Sequence, residues 1–366
     1  MDTNMQNTPK ITKESKNKIR VEFDRTPLKE RLKAKFLNLY FFQQVAWIIF
    51  RMVLLVGISY VVLFPFISKI AGSFMSPEDF VDVTVRLIPK NFTLDIYKAV
   101  LFELDYWEAF FNTLIISLLC GLLQTFVCCL IGYGLAKFRF KGNSLVMLLV
   151  ILTMIVPHQT LQLSMFMHFR YFDVLGIMSF LSGGASIGFM PDSVNELLAG
   201  IQLFKLDDFA IPLTNTYWPL AILSVTGLAF KNGLYIFMLR QFFTGVPDAL
   251  EESAYIDGSG VFRTFFTIIL PLSIPMMVTV FLFSFCWQWT DNFYTELFFT
   301  TTKTVLMPDI IDIPKSLKTD YAGQSLYYAA IRNTCGLCII APLVILYLFG
   351  QRYLVEGIER SGLTAE

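Results

Sequence analysis

Groups that could do chemistry are scarce in this sequence of 366 residues. The two histidines, His158 and His168, are too few and too far apart to indicate a metal site. There is no phosphate-binding G-x-x-x-x-G-K-[ST] loop and no zinc-ligand spacing. We therefore expect a chain that is not an enzyme, binds no metal and carries no cofactor of its own.

Charge is also in short supply. Charged residues make up 16% of the chain, and 29 Lys and Arg balance 29 Asp and Glu, so nothing indicates a nucleic-acid partner. The six cysteines lie in apolar stretches, where free thiols pack as small apolar groups. Cys335 and Cys338 have a C-x-x-C spacing, but they lie in an apolar run without a βαβ pattern, which argues against a redox motif.

Hydrophobic residues, by contrast, are abundant. They make up 55% of the chain, aromatic residues make up 16%, and the mean hydropathy is +0.58. Several apolar runs approach the length of about 20 residues that an α-helix needs to cross a bilayer. The sequence predicts an all-α, polytopic transmembrane helical bundle (44–353) of six spans, at about residues 44–70, 111–136, 143–166, 217–239, 276–297 and 326–350.

Charge asymmetry predicts how the spans are oriented. Basic residues dominate the N-terminal segment 1–43 and the loop at 137–141, and basic loops face the cytoplasm. Acidic residues dominate the loop between the first two spans, which is therefore expected outside. Six spans then place the C-terminal tail 354–366 in the cytoplasm with the N-terminus and a loop at 244–271. The segment 176–211 is expected to be an extracellular insertion.

The loop at 244–271 has the pattern of two short helices. Pro247 suits a helix start. A helical wheel separates a polar arc from a mostly apolar one, the first with Asp248, Glu251, Glu252 and Tyr255, the second with Ala249, Leu250, Ser253, Ala254 and Ile256. Asp257, Gly258 and Ser259 predict a break, followed by a helix that ends at Pro271. On shape alone, this is an amphipathic connector at the membrane surface.

The spacing of particular residues favours another interpretation. Glu252-Ser253-Ala254, Gly258 and Ile268-Ile269-Leu270-Pro271 match the signature EAA---G---------I-LP at every spacing, with Ser for the middle Ala. In this the chain resembles the permeases of ABC importers, in particular the carbohydrate-uptake permeases of the maltose-permease type. The resemblance covers most of residues 45–358 and includes "FFNTLIISLL", "GYGLAKFRFKG", "LTNTYWPL" and "LFGQRYLVEGI" in the family's order.

The resemblance implies an importer in the bacterial cell membrane that moves a sugar or oligosaccharide. It would contain this chain, a second permease chain, two cytoplasmic ATPases that bind ATP and Mg²⁺, and an extracellular solute-binding protein. The loop would supply the coupling helix, with ATPase contacts at Glu251, Glu252, Ser253, Ala254, Asp257, Gly258, Leu270 and Pro271. Two features depart from the family: the insertion 176–211 is longer than usual, and the tail lacks a terminal Gly-Val-Lys-Gly.

Polar residues in or beside the spans are candidates for the substrate pathway. Ionisable groups at membrane depth face a cavity or a partner, and aromatic faces beside hydrogen-bonding groups suit sugars. The candidates are Lys231, Asn232, Trp287, Trp289, Asp291 and Asn292. Two other interpretations fit them: Lys231 pairs with a carboxylate of the second permease, and the tryptophans belong to an aromatic belt at the membrane surface.

Other functions were weighed against the sugar importer. A permease for a non-sugar solute fits the same signature. A secondary transporter is expected to have internal repeats and broken helices that supply ion ligands, and no convincing duplication is found. A receptor or scaffold has no reason to carry the coupling signature.

Overall fold

The fold is helical, as predicted. The computed structural model describes the backbone of residues 12–13, 19–20, 39–172, 212–300, 305–320 and 324–362. The predicted insertion at 176–211 lies outside the described residues, as does most of the N-terminal segment 1–43. The chain divides into two compact units, Met1–Ser68 and Lys69–Glu366, which are described separately.

The first unit contains one short strand pair and most of a long helix. Strands β1 (Thr12–Lys13) and β2 (Ile19–Arg20) pair antiparallel, with Thr12 opposite Arg20. Helix α1 (Leu39–Gly72) has 34 residues, well above the length of about 20 that spans a bilayer. Its last turn belongs to the second unit.

The second unit is built around one central helix, α3, which packs against α7 and α10, while α10 also packs against α12. Its helices are α2 (Asp95–Glu103), α3 (Tyr106–Lys137), α4 (Asn143–Ile155), α5 (Gln162–Arg170), α6 (Trp218–Val225), α7 (Asn232–Thr244), α8 (Ala249–Ile256), α9 (Val261–Thr264), α10 (Leu270–Trp289), α11 (Phe293–Phe298) and α12 (Gln324–Gly362). Short 3₁₀ turns lie at Pro77–Phe80, His158–Leu161, Met307–Ile310 and Lys315–Leu317.

The described residues contain four helices that are long and apolar enough to cross a membrane: α1, α3, the continuous helix Val261–Trp289 and α12. A fifth candidate is the pair α4 and α5, which is bent by 93°. The bend follows Pro157, because a residue before proline avoids the helical region, and Val156 is extended with ψ 120°. Six continuous spans are therefore not observed.

The predicted span 217–239 is the clearest difference, because it consists of two helices. Helix α6 ends in a Schellman turn: Gly227 has φ +75°, and the amide of Leu228 donates to the carbonyl of Leu223 at 3.0 Å. Lys231 then adopts φ +67° directly before α7. Glycine reaches this backbone region without strain, so the chain leaves the helix inside an apolar run.

The sequence predicted that the helix after Gly258 ends at Pro271, and this boundary is wrong. A π-helical segment at Phe265–Ile269 joins α9 to α10 and makes the helix continuous to Trp289. Pro271 therefore lies inside a continuous helix, two residues after the π-helical segment, and such a local change of helix type is one way a membrane helix accommodates a proline. The predicted span 276–297 therefore begins earlier and ends at Trp289.

The last helix also corrects a boundary. Residues 354–362 of the predicted tail belong to α12, which runs without interruption to Gly362. Pro342 lies inside this helix, as Pro65 lies inside α1. The tail is thus an extension of the last span over most of its length.

Close helix contact in the core depends on one small residue. A Cβ atom at Gly132 of α3 would lie 2.9 Å from Cβ of Leu239 and 3.0 Å from the amide nitrogen of Arg240, both on α7. Small residues are typical where membrane helices pack closely, because lipid supplies no hydrophobic drive between helices. Tyr133, Phe243 and Phe265 pack with ring centroids 4.8 to 5.5 Å apart beside this contact.

We expect Gly132→Ala to destabilise the protein and Gly134→Ala not to. The first substitution pushes a methyl group against the α7 backbone and should cost about 1 to 3 kcal/mol, as overpacking does. The second is a matched control two residues away on α3, where an added Cβ meets nothing within 4 Å. The measurement is the thermal unfolding midpoint of the detergent-solubilised protein, and equal shifts for the two variants would contradict this packing.

Candidate functional site

The loop at 244–271 is attached to the end of α3 by one lysine. The side chain of Lys137 is only 6% exposed, and its ammonium donates to the carbonyl of Val246 and to Asp248, both at 2.6 Å. The hydrogen bond from Lys137 lowers the pKa of the exposed Asp248 carboxyl. The start of α8 is therefore held by the last residue of a membrane-spanning helix.

Helix α8 presents a different face from the one that the helical wheel predicted. Glu251 is buried, with 8% of its surface exposed, whereas Ile256 is 86% exposed and Leu250 is 40% exposed. Burial raises the pKa of the Glu251 carboxyl, and Lys137 opposes that effect. Oε1 of Glu251 and the hydroxyl of Tyr133 have no hydrogen-bond partner among the described residues. Glu251 thus belongs to the inner face of α8.

The outer face carries three other residues of the predicted contact. Glu252, Ser253 and Asp257 are exposed, while Ala254 is buried against the chain. The hydroxyl of Ser253 donates to the carbonyl of Leu250 at 3.0 Å, so it is engaged within its own helix. The exposed carboxylate of Glu252 and the exposed apolar side chain of Ile256, one helical turn apart, define this outer face.

The turn after α8 is a second Schellman motif. Gly258 has φ +80°, the amide of Ser259 donates to the carbonyl of Ala254 at 2.9 Å, and that of Gly258 donates to Tyr255 at 3.0 Å. A Cβ at Gly258 would meet nothing within 4 Å, so the turn itself leaves open space. Only the backbone conformation requires glycine here.

Leu270 and Pro271 lie elsewhere, on α10. Leu270 is half-buried against the core beside α3. Pro271 is exposed and lines an apolar groove with Leu122 and Phe126 of α3. The structure therefore places Leu270 in the packing of α10 against the core and Pro271 at the rim of the groove between α3 and α10.

A second group of polar residues surrounds the break between α6 and α7. The ammonium of Lys231 lies 4.7 Å from the ring centroid of Phe230 and 4.9 Å from that of Trp287. Such positions over an aromatic face stabilise a cation. The His158 ring meets Phe230 edge-on at 5.0 Å and shares a hydrogen bond of 3.1 Å with the hydroxyl of Tyr294. We call Lys231, Phe230, Trp287 and His158 the lysine cage.

The lysine cage borders a cavity of about 120 Å³ that is lined from both helix breaks. His158 comes from the turn after α4, and residues 227–231 come from the turn after α6. Thr153 and Met154 complete one wall. Broken helices at membrane depth are tolerated where they line a cavity, and both of these do.

A smaller cavity lies on the other side of Phe230 and contains a polar network. Gln124 of α3 donates to Ser224 at 3.3 Å and accepts from Ser284 at 2.8 Å, so it joins α3, α6 and α10. Asp291 lines the same cavity, and its carboxylate accepts the amides of Tyr294 and Thr295, each at 3.1 Å. Asp291 therefore starts α11 and faces a polar space.

The predicted pathway residues separate into two groups. Lys231, Trp287 and Asp291 come together around the two cavities. Trp289 is fully buried on the opposite side of α10, where its indole donates to the carbonyl of Ile339 at 3.0 Å, so it is a core residue. Asn292 is exposed at the start of α11, and Asn232 is fully buried with no partner for its amide among the described residues.

Several contributors were missed by the sequence analysis: His158, Phe230, Tyr294, Gln124, Ser224 and Ser284. Two of them carried a signal. His158 directly follows the Pro157 that breaks a predicted span, and Phe230 directly precedes Lys231. The others lie on separate helices, and only their packing brings them together.

Comparison with known proteins decides which family these features belong to. The model of the family described as "Binding-protein-dependent transport system inner membrane component" matches residues 129–360. The chain belongs to this family. The matched region contains α8 with its turn, both helix breaks and all four residues of the lysine cage.

Relatives in this inner-membrane-component family are named as permease proteins. The arabinooligosaccharides transport system permease protein AraQ of Halalkalibacterium halodurans is 25% identical over 84% of this chain and 92% of its own length. The polygalacturonan/rhamnogalacturonan transport system permease protein YtcP of Bacillus subtilis is 24% identical over 80% and 89%. The alpha-glucoside transport system permease protein AglG of Rhizobium meliloti is 25% identical over 74% and 60%.

A solved structure shares the fold. It is a bacterial ABC transporter involved in the import of the acidic polysaccharide alginate. This chain superimposes on one chain of that transporter with a TM-score of 0.58 and 18% identity, over 85% of this chain and 97% of that one. The predicted resemblance to ABC importer permeases is confirmed, and so is the multi-pass helical class. Such chains are transport subunits of the membrane, not enzymes.

We expect Lys137→Met to loosen α8 without unfolding the permease. Loss of the ammonium leaves the Val246 carbonyl without its donor, which should lower local stability by about 1 to 3 kcal/mol. Hydrogen exchange in residues 245–257 should accelerate, as measured by mass spectrometry. Lys141→Met, which removes an exposed cation from the same end of α3, is the control. Equal acceleration in both variants would argue against an attachment through Lys137.

Proposed function

We propose that this chain is one of two permease chains of an ATP-driven importer for a sugar or oligosaccharide. The observation that carries the proposal is the family match over residues 129–360, joined to relatives named for saccharide transport. The second permease, two ATPases that bind ATP and Mg²⁺, and an extracellular solute-binding protein complete the importer. The N-terminus, the tail and α8 lie in the cytoplasm, and residues 176–211 lie outside.

The outer face of α8 is the proposed contact with an ATPase. Glu252 supplies a carboxylate for a basic residue, Ile256 supplies apolar area, and the tight turn at Gly258 lets the backbone enter a cleft. Glu251, which the sequence analysis placed among the ATPase contacts, has a different proposed role. It lies on the inner face of α8, near Tyr133 and Lys137, and supports the helix from within the permease.

The attachment of α8 to α3 supplies a route for force. When the ATPases close on ATP, they displace α8, and Lys137 transmits the displacement to the end of α3. Helix α3 packs against α7 and α10, which carry Lys231 and Trp287. A ligand-driven change of state requires contacts that differ between the two states, and ATPase closure is what alters them here.

The coupling role is tested by Glu252→Lys. We expect this variant to reach the membrane at normal levels, since an exposed ion pair contributes about 0 to 1 kcal/mol to stability. Sugar uptake and binding-protein-stimulated ATP hydrolysis should be lost, because like charges now face each other at the ATPase. An acidic substitution of the facing basic residue of the ATPase should partly restore both activities.

Glu251→Gln is the matched control on the adjacent residue. It keeps the shape of a buried side chain and removes its charge, so uptake should stay close to that of the unaltered importer. Gly258→Val should abolish uptake through the strained positive φ, and the acidic ATPase substitution should not rescue it. Normal uptake and normal ATPase association in Glu252→Lys would reduce the loop to an interfacial connector.

A further inference from the structure

Lys231 is a cation that the described part of the chain does not neutralise. No carboxylate of the described residues lies within 4 Å of its ammonium, and none of them accepts a hydrogen bond from it. Among the described residues, the ring faces of Phe230 and Trp287 lie against it, at 4.7 and 4.9 Å. An ammonium carries three donors, and none of them is taken up by a side chain or carbonyl of the described residues.

The position of Lys231 is defined by the fold. It sits at the N-terminal boundary of α7 with φ +67°, a conformation that non-glycine residues seldom adopt. The aromatic faces stabilise the charge without supplying an opposite one. A lysine at membrane depth is typically functional and faces a cavity or a partner, and this one borders a cavity.

The size of the cavity limits what it can hold. Its volume is about 120 Å³. Sites for whole small-molecule ligands measure about 300 to 1,000 Å³. The cavity therefore has room for one substituent of a sugar and not for the sugar itself.

The remaining polar groups suit a charged substituent beside neutral ones. The imidazole ring of His158 lines the same cavity. Neutral side chains of Gln124, Ser284 and Gln288 line the adjacent cavity. The carboxylate of Asp291 accepts two backbone amides at the start of α11, and the ion pairs of the described residues do not include one between Asp291 and Lys231.

We propose that the lysine cage binds the carboxylate of an acidic saccharide, so that uronate-containing oligosaccharides are the substrate class of this importer. The proposal rests on the proposed function as a saccharide importer and specifies its substrate. The ammonium of Lys231 donates to the carboxylate inside the cavity, while the sugar ring lies outside it, over the half-exposed face of Trp287. A charge-assisted hydrogen bond of this kind selects an acidic sugar from its neutral counterpart.

The test uses the complete importer in its host cells. Cells with and without the permease gene receive a mixed digest of polygalacturonate and alginate, together with the same digest after chemical reduction of its carboxyl groups. The two probes differ at C6 of each sugar, where a carboxylate in one is a neutral hydroxymethyl group in the other. Accumulated saccharides are measured by mass spectrometry in the unaltered strain, the deletion strain, Lys231→Met and Lys231→Arg, and the assembly of each variant is measured by copurification of the ATPase.

We expect the unaltered importer to accumulate acidic saccharides in preference to the reduced ones. Lys231→Met should lower acidic uptake by about tenfold or more, the effect of one lost charge-assisted hydrogen bond of about 1.5 to 3 kcal/mol. Lys231→Arg should retain most of it, because the charge remains. Assembly with the ATPase should be unchanged in both variants.

The other outcomes are distinct. If deletion abolishes uptake of the reduced saccharides alone, the saccharide importer stands and the acidic substrate class is wrong. If Lys231→Met lowers assembly, or lowers acidic and reduced uptake equally, Lys231 pairs with the second permease and the proposal is overturned. If deletion changes the uptake of no saccharide in either probe, the proposed function itself fails.

Discussion

A backbone inside hydrocarbon must satisfy its own hydrogen bonds, and this constraint explains where the second unit is irregular. The chain leaves the helical conformation after Ile155 and again after Val225. Both breaks line the same cavity, and the second closes in a turn that pairs its backbone groups. The irregular backbone also provides what a straight helix cannot, an inward-facing lysine at the start of α7. The strongest constraint of the membrane thus determines where polar chemistry can sit.

Much of the fold could be predicted from the length of apolar runs. The segments 44–70, 111–136 and 326–350 lie within single helices, because hydropathy alone specifies a spanning helix. The prediction of one helix over 217–239 was wrong, since the average hydropathy of the segment does not reveal the turn at Gly227. The predicted end of the second loop helix at Pro271 was also wrong, because a π-helical segment before Pro271 lets the helix continue. These are local backbone effects that neighbouring helices help to determine.

The site could be predicted only where its chemistry is local. Lys231 and Trp287 were identified as polar or aromatic residues at membrane depth, yet their contact depends on how the break packs against α10. Trp289 looked equivalent to Trp287, but the phase of α10 turns it toward α12. Glu251 was assigned to the outer face of α8, because the lysine that interacts with its inner face comes from a distant part of the chain.

The hydrogen bond from Lys137 to the main-chain oxygen of Val246 has a consequence for how such a chain can diverge. A carbonyl acceptor is present whatever side chain residue 246 carries, so substitutions there leave this bond in place. The exposed carboxylate of Asp248 accepts a second hydrogen bond from Lys137, and a substitution of Asp248 removes that bond but leaves the first. The outer residues of α8 take no part in either bond, so they can vary while the attachment of the helix to the end of α3 persists.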